Sequence, residues 1–236
     1  MAVRPGRTLD ARARLALSSA VRTCLRLDED FSEFYAKAKK SGEYRWVHAL
    51  GAGRMLRSPS VFEDVVKMIC TTNCSWSLTE AMTANLCRTL GERVGDDEYA
   101  FPSPESIVAS SESFLRSKVR SGYRSPYLLE LSRNVADGKI DLESWRSSAL
   151  STEELFREMR SVKGVGPYAA GNILKLVGRY DYLGIDSWCR KQYADLFHGG
   201  RRVTDRTIER RYPASESWRG LFFWMDMTKR WYYDGA

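Results

Sequence analysis

Long apolar runs are missing from this chain of 236 residues. No stretch approaches the roughly 20 consecutive apolar residues that span a bilayer, and the N-terminus lacks the apolar core of a secretory signal. No membrane association is therefore expected, and a protein of the cytoplasm is. Cysteines are few and scattered: Cys24, Cys70, Cys74, Cys87 and Cys189 form no Cys-x-x-Cys pair. That pattern suits a reducing compartment and speaks against a disulfide framework. Cys70 and Cys74 would share one side of a helix, but two thiols with no histidine nearby make a poor zinc site. Strand signals are scarce, and no internal repeat or low-complexity segment is present.

Helical patterning fills the chain instead. Apolar residues recur at helical spacing in Val61-Phe62-Val65-Val66-Ile69, in Leu78-Met82-Leu86-Leu90, in Tyr127-Leu128-Leu131-Val135 and in Leu221-Phe222-Trp224-Met225. Ser58-Pro59-Ser60, Gly91, Phe101-Pro102-Ser103-Pro104 and Asp137-Gly138 punctuate them, the third ahead of a helix over 104–110. Residues 1–24, rich in Arg and Ala, read as an irregular arm or short strands. A chain of this length can bury a real core, as one large domain or two small lobes.

Charge narrows the partner. Lys and Arg outnumber Asp and Glu by 37 to 30, a net charge of +7. The excess gathers in the C-terminal third, where Arg190, Lys191, Arg201, Arg202, Arg206, Arg210 and Arg211 alternate with Trp188, Tyr193, Phe197 and Tyr212. A basic, aromatic surface of this kind favours a polyanion and makes binding sensitive to salt, so Trp188 and Arg190 are candidate nucleic-acid contacts. For any single one of these residues, an ordinary solvated helical face is an equal reading.

The densest signal is Val162-Lys163-Gly164-Val165-Gly166-Pro167-Tyr168-Ala169-Ala170-Gly171, followed one helix length later by Gly184-Ile185-Asp186-Ser187-Trp188. Gly164 and Gly166 can take positive φ and let another backbone approach without a side chain between. Pro167 is suited to a first helical position, where its missing N–H is not needed. Free amides at such a helix start, aided by the macrodipole, bind an anion such as phosphate. Alone, Gly-Val-Gly reads equally well as a plain helix–helix turn, and Asp186 as the N-cap of the helix after it.

Together, the hairpin and the carboxylate resemble the helix-hairpin-helix DNA glycosylases. Within that superfamily the chain looks most like the 8-oxoguanine DNA glycosylase branch, because Gly53-Arg54-Met55-Leu56-Arg57-Ser58-Pro59, Ile69-Cys70-Thr71-Thr72-Asn73, Phe101-Pro102-Ser103 and Gly122-Tyr123-Arg124 occur in the same order. The likeness covers residues 26–235 or so. It implies a mainly α, two-lobed fold with little β and a cleft between the lobes. Residues 1–56 and 179–236 would form one lobe, and residues 57–178 the other, ending in the helix-hairpin-helix at about 151–178. It also implies a monomer that binds double-stranded DNA in base excision repair, working in the cytoplasm at the nucleoid or, in a eukaryote, in the nucleus. Some relatives hold an iron-sulfur cluster with four closely spaced C-terminal cysteines; with none after Cys189, no cluster or other cofactor is expected here.

The resemblance assigns roles residue by residue. Cutting a base from its sugar requires extruding the nucleotide and filling the gap. Tyr123 matches the aromatic wedge, Arg124 the residue that reaches the orphaned partner base, and Asn73 the residue that fills the vacated space. A turn tyrosine and a helix cap are the plain readings of Tyr123 and Asn73. Lys163 and the backbone of Gly164, Val165 and Gly166 would hold phosphate, and carbonyls of Arg160, Val162 and Val165 would hold a structural monovalent cation. Asp186 matches the catalytic carboxylate. Tyr168, Asn172, Phe223 and Met227 would shape the base pocket, although for the aromatics a packed C-terminal helix is as good a reading.

Two departures matter. Tyr168 stands where bifunctional relatives have the lysine that forms a Schiff base with the sugar, and a phenol cannot form an imine. Leu78 stands where the 8-oxoguanine enzymes have an arginine that reads the opposite cytosine. The expected activity is therefore a monofunctional glycosylase, acting on a damaged base and most readily a purine. The alternatives are a non-catalytic DNA-binding hairpin module and a lyase that uses a displaced lysine, with Lys163 and Lys175 the nearest amines.

Overall fold

Side-chain caps set where this chain begins its helices. An oxygen at an N-cap accepts a hydrogen bond from an amide that the helix itself leaves without a partner, and Ser60, Ser75, Ser103, Ser151 and Thr204 all do this. The computed structural model describes residues 10–233. They are mainly α-helical, and among them the only sheet is an antiparallel pair, Arg93–Gly95 with Glu98–Tyr99, with an irregular register.

One expectation needs correcting at the start of the chain. Residues 1–9 lie outside the described part, but Ala11–Cys24 is a helix, neither an irregular arm nor short strands. Asp10 caps it by accepting from the Ala13 amide at 2.7 Å, and Ala, Leu and Arg are strong helix formers. No residue of this helix is fully buried, and its half-buried face is mostly small side chains, with Ala13 and Ala20 beside Leu17, Val21 and Cys24, a weak stripe for periodicity to detect.

The apolar residues gather into three clusters. The largest draws on positions from Val61 to Val177, including Val65, Ile69, Met82, Leu128, Trp145 and Ile173. A second joins Phe31, Phe34 and Ala38 near the N-terminus to Tyr180, Leu221 and Met225 near the C-terminus. The third packs Leu183, Cys189, Tyr193, Ile208 and Tyr212 against Phe223 and Met227.

Arg26 ties the first two clusters together. It is fully buried and donates to the carbonyls of Lys175 at 2.7 Å and Leu176 at 2.9 Å, to Glu29 at 2.8 Å and to the Tyr180 hydroxyl at 2.6 Å. Those two carbonyls close the helix Pro167–Leu176, so a cation caps its negative end. This anchors the helix that begins at the glycine hairpin.

Candidate active site

The hairpin is built from local chemistry. The helix Thr152–Ser161 opens with a capping box between Ser151 and Glu154 and gives way to a turn in which the Val165 amide donates to the Val162 carbonyl at 3.0 Å. Gly164 adopts φ +90°, and a Cβ built there would stand 3.0 Å from the Tyr127 side chain. Both its conformation and its neighbour therefore demand glycine. Gly166 is different: its backbone is extended and nothing lies within 4 Å of its missing Cβ. It is the N-cap of Pro167–Leu176 without any side-chain cap bond, so the amides at this helix start face open space. Val162 and Val165 are buried and moor the turn to the core. Lys163 is exposed and pairs with Glu130 at 2.9 Å.

Asp186 returns to the same place. It is the N-cap of Ser187–His198 and accepts from the Cys189 amide at 2.6 Å through Oδ1. Burial, reinforced by the adjacent Asp186 charge, pushes the Cys189 thiol up to about 12, so it stays protonated. Tyr168 is 39 % exposed. Burial raises its phenol above the ordinary value against a hydrogen bond with Thr71, and Asp186 raises it further. An open cleft of about 740 Å³ is lined by Thr71, Asn73, Gly166, Tyr168, Asp186, Trp188 and Arg190, among others. One concavity thus holds the hairpin glycine, the carboxylate and the tyrosine.

Tyr123 stands nearby at 45 % exposure. Its hydroxyl receives the Asn73 amide at 3.3 Å and lies 3.2 Å from the Thr72 hydroxyl. Asn73 takes φ +48°, a left-handed conformation that asparagine tolerates. Trp188 packs against Trp224 and Trp231 at centroid distances of 6.0 and 5.9 Å. Arg190 is held in a two-pronged pair with Asp205 at 2.6 and 2.8 Å.

Four of the candidate residues lie elsewhere than expected. Arg124 is only 4 % exposed, donates to the Thr72 carbonyl and hydroxyl, and stacks on Tyr123 at 4.5 Å. Its Nε and one of its Nη groups are engaged within the protein, where it braces the loop that carries Tyr123. Phe223 is fully buried and Met227 nearly so, both in the third apolar cluster, and neither lines the cleft. Asn172 does not line it either: its amide donates to the Tyr168 carbonyl at 3.0 Å and its oxygen accepts from Lys175 at 3.3 Å. In their place the cleft has Thr71, Tyr182 and Ser187. Thr71 and Ser187 lie within the fragments Ile69–Asn73 and Gly184–Trp188 but without an assigned role, and no sequence signal marked Tyr182. Trp231 is 56 % exposed beside Trp188.

The fold is that of solved DNA glycosylases, and the sequence is similar to proteins named as DNA glycosylases. A protein of Methanothermobacter thermautotrophicus named as a probable N-glycosylase/DNA lyase is 24 % identical over 202 residues, covering 76 % of this chain and 63 % of that protein. The chain thus spans less than two thirds of that curated relative's length. Among solved structures, the 3-methyladenine DNA glycosylase from Archaeoglobus fulgidus superposes with a TM-score of 0.72 at 22 % identity, over 95 % of this chain and 78 % of that one. The Clostridium acetobutylicum 8-oxoguanine glycosylase/lyase bound to double-stranded DNA, with cytosine opposite the lesion, gives 0.70 at 21 %, over 92 % and 77 %. No family model matches the chain.

Proposed function

We propose that the protein is a monofunctional DNA glycosylase that extrudes a damaged base, most readily a purine, and hydrolyses its N-glycosidic bond with Asp186. One observation carries this reading: the open helix start at Gly166, Tyr168 and Asp186 share a single cleft. The helix start grips a phosphate of the damaged strand. Tyr123 enters the stack while Asn73 fills the gap, and the base swings into the cleft past Tyr168. Positive charge then develops on the deoxyribose, and the fixed carboxylate stabilises it and orients the attacking water. Relatives named for 8-oxoguanine and for 3-methyladenine support the reaction class and leave the base open.

Three residues support cleavage that stops at the base. Tyr168 offers no amine, and Lys175 is fully buried. Lys163 sits on the hairpin, where it meets phosphate more readily than sugar. The carbonyls of Arg160 and Val165 accept no backbone hydrogen bond outside the helices among the described residues. Together with Val162 they suit a monovalent cation that would bridge the hairpin backbone to phosphate.

The test is a set of duplexes, each with one modified base opposite each partner base, scored for base release with and without alkali. Wild type releases at least one base and nicks only after alkali. Asp186→Asn keeps DNA binding and loses release by about a hundred- to a thousandfold, on the scale of removing an electrostatic stabiliser from an active site. Release at the wild-type rate by that variant, or a strong borohydride-trapped adduct that depends on Lys163 or Lys175, overturns the assignment.

A further inference from the structure

Behind the carboxylate lies a lysine with no access to solvent. Lys175 is 0 % exposed, where the hairpin helix, the turn before Asp186 and the helix Arg219–Thr228 meet. Its Nζ donates to Asn172 Oδ1 at 3.3 Å and sits 4.7 Å from the centroid of the Trp224 ring. Gly184, at φ +60°, closes over it: a Cβ there would stand 3.3 Å from both Cε and Nζ. An ammonium has three donors, so this one keeps unused hydrogen-bonding capacity in a dry interior.

The ionisable groups facing it come from the helix Ser187–His198 and its cap. Burial pushes the amine below its ordinary range, the Asp186 carboxylate pulls it back up, and the Cys189 thiol stays protonated. The hairpin helix contributes Asn172, and the C-terminal helix contributes the Trp224 face; neither ionises. Arg26 reaches only the backbone carbonyl of Lys175. Arg190, which also feels Asp186, is paired with Asp205. A positive charge held here acts on whatever reacts at Asp186, because a low-dielectric interior screens it weakly.

The reaction gives that charge a consequence. Glycosidic cleavage breaks the C1′–N bond and sends its electron pair to the base nitrogen; water adds its oxygen to C1′, and its proton ends on a base that leaves as an anion or on solvent when the base leaves neutral. A neutral base leaves as an anion, which a nearby ammonium stabilises. A base alkylated on a ring nitrogen starts as a cation and leaves neutral, so the ammonium repels it at the outset and offers nothing to its departure.

We propose that Lys175 is a specificity-determining residue of this site, favouring neutral modified bases, oxidised or deaminated, over bases made cationic by alkylation. This rests on the reading of Asp186 as the catalytic carboxylate. The experiment compares single-turnover release of 8-oxoguanine, hypoxanthine and N7-methylguanine from duplexes across about pH 5 to 8, because lower pH favours the ammonium of a depressed amine. Wild type releases a neutral base faster than N7-methylguanine, and Lys175→Met narrows that ratio by about tenfold or more. Wild-type preference for N7-methylguanine, or a Lys175→Met variant that slows all bases by one common factor, overturns the proposal. Asp186→Asn, run alongside, separates the two ideas: if it stays active, the catalytic reading fails and not the selectivity. Lys175→Gln provides the same ratio if the methionine variant does not fold.

Discussion

Asp186 does two jobs with one side chain. As an N-cap it accepts the Cys189 amide, and as a carboxylate in the cleft it faces Tyr168. The two jobs separate on substitution. Asparagine caps as well as aspartate, whereas alanine at a cap costs about 1 kcal/mol. Denaturant melts should therefore find Asp186→Asn as stable as wild type and Asp186→Ala weaker by about that amount, with base release lost in both. The hairpin glycines separate in the same way. Gly164→Ala forces a side chain into φ +90° against Tyr127, so it should lose more than about 1 kcal/mol in urea melts. Gly166→Ala has room in the free protein and should melt normally. Under the proposed phosphate grip its methyl group would stand in the phosphate's path, and fluorescence anisotropy should show DNA binding weakened by about tenfold.

Between elements, buried polar groups fix the geometry. Tyr44 and Tyr212 both donate to Asp226 Oδ2, at 2.6 and 2.5 Å, and so join the N-terminal region to the C-terminal helix. Burial raises the Asp226 carboxyl above its ordinary 3.8, outweighing those two hydrogen bonds. A carboxyl with a raised folded value binds its proton more tightly folded than unfolded. Its contribution to stability is therefore greatest below 3.8 and is lost as pH rises through the folded value. Asp226→Asn removes this titration. The melting temperature of wild type minus that of the variant should accordingly be larger near pH 4 than near pH 7; a difference that grows toward neutral pH would show the sign to be wrong.

For the molecule as a whole, the net charge of +7 acts through a surface where several basic residues already have acidic partners, among them Lys163 with Glu130 and Arg190 with Asp205. Exposed pairs of this kind contribute little to stability and can give way to phosphate. Affinity for undamaged duplex should fall on the order of 10- to 100-fold between about 50 and 200 mM salt, as for a few phosphate contacts. A flat salt response in anisotropy titrations would exclude the hairpin and its neighbours as a phosphate grip.

What the sequence alone determined was local. A glycine that must take positive φ, a proline at a first helical position and an aspartate three residues before the amide it caps are all decided within one or two turns of chain, so the hairpin and the placement of Asp186 at a helix start were legible without coordinates. The helix Ala11–Cys24 was not, because its half-buried face is mostly small side chains and no residue of it is fully buried, which leaves only a weak apolar stripe. Burial was decided only by the tertiary structure. Arg124 turned inward to Thr72, Phe223 and Met227 joined the core, and Lys175 came to lie beneath Trp224. Each depends on segments far apart in the chain filling the same space, and packing of that kind leaves no mark on the local spacing of residues.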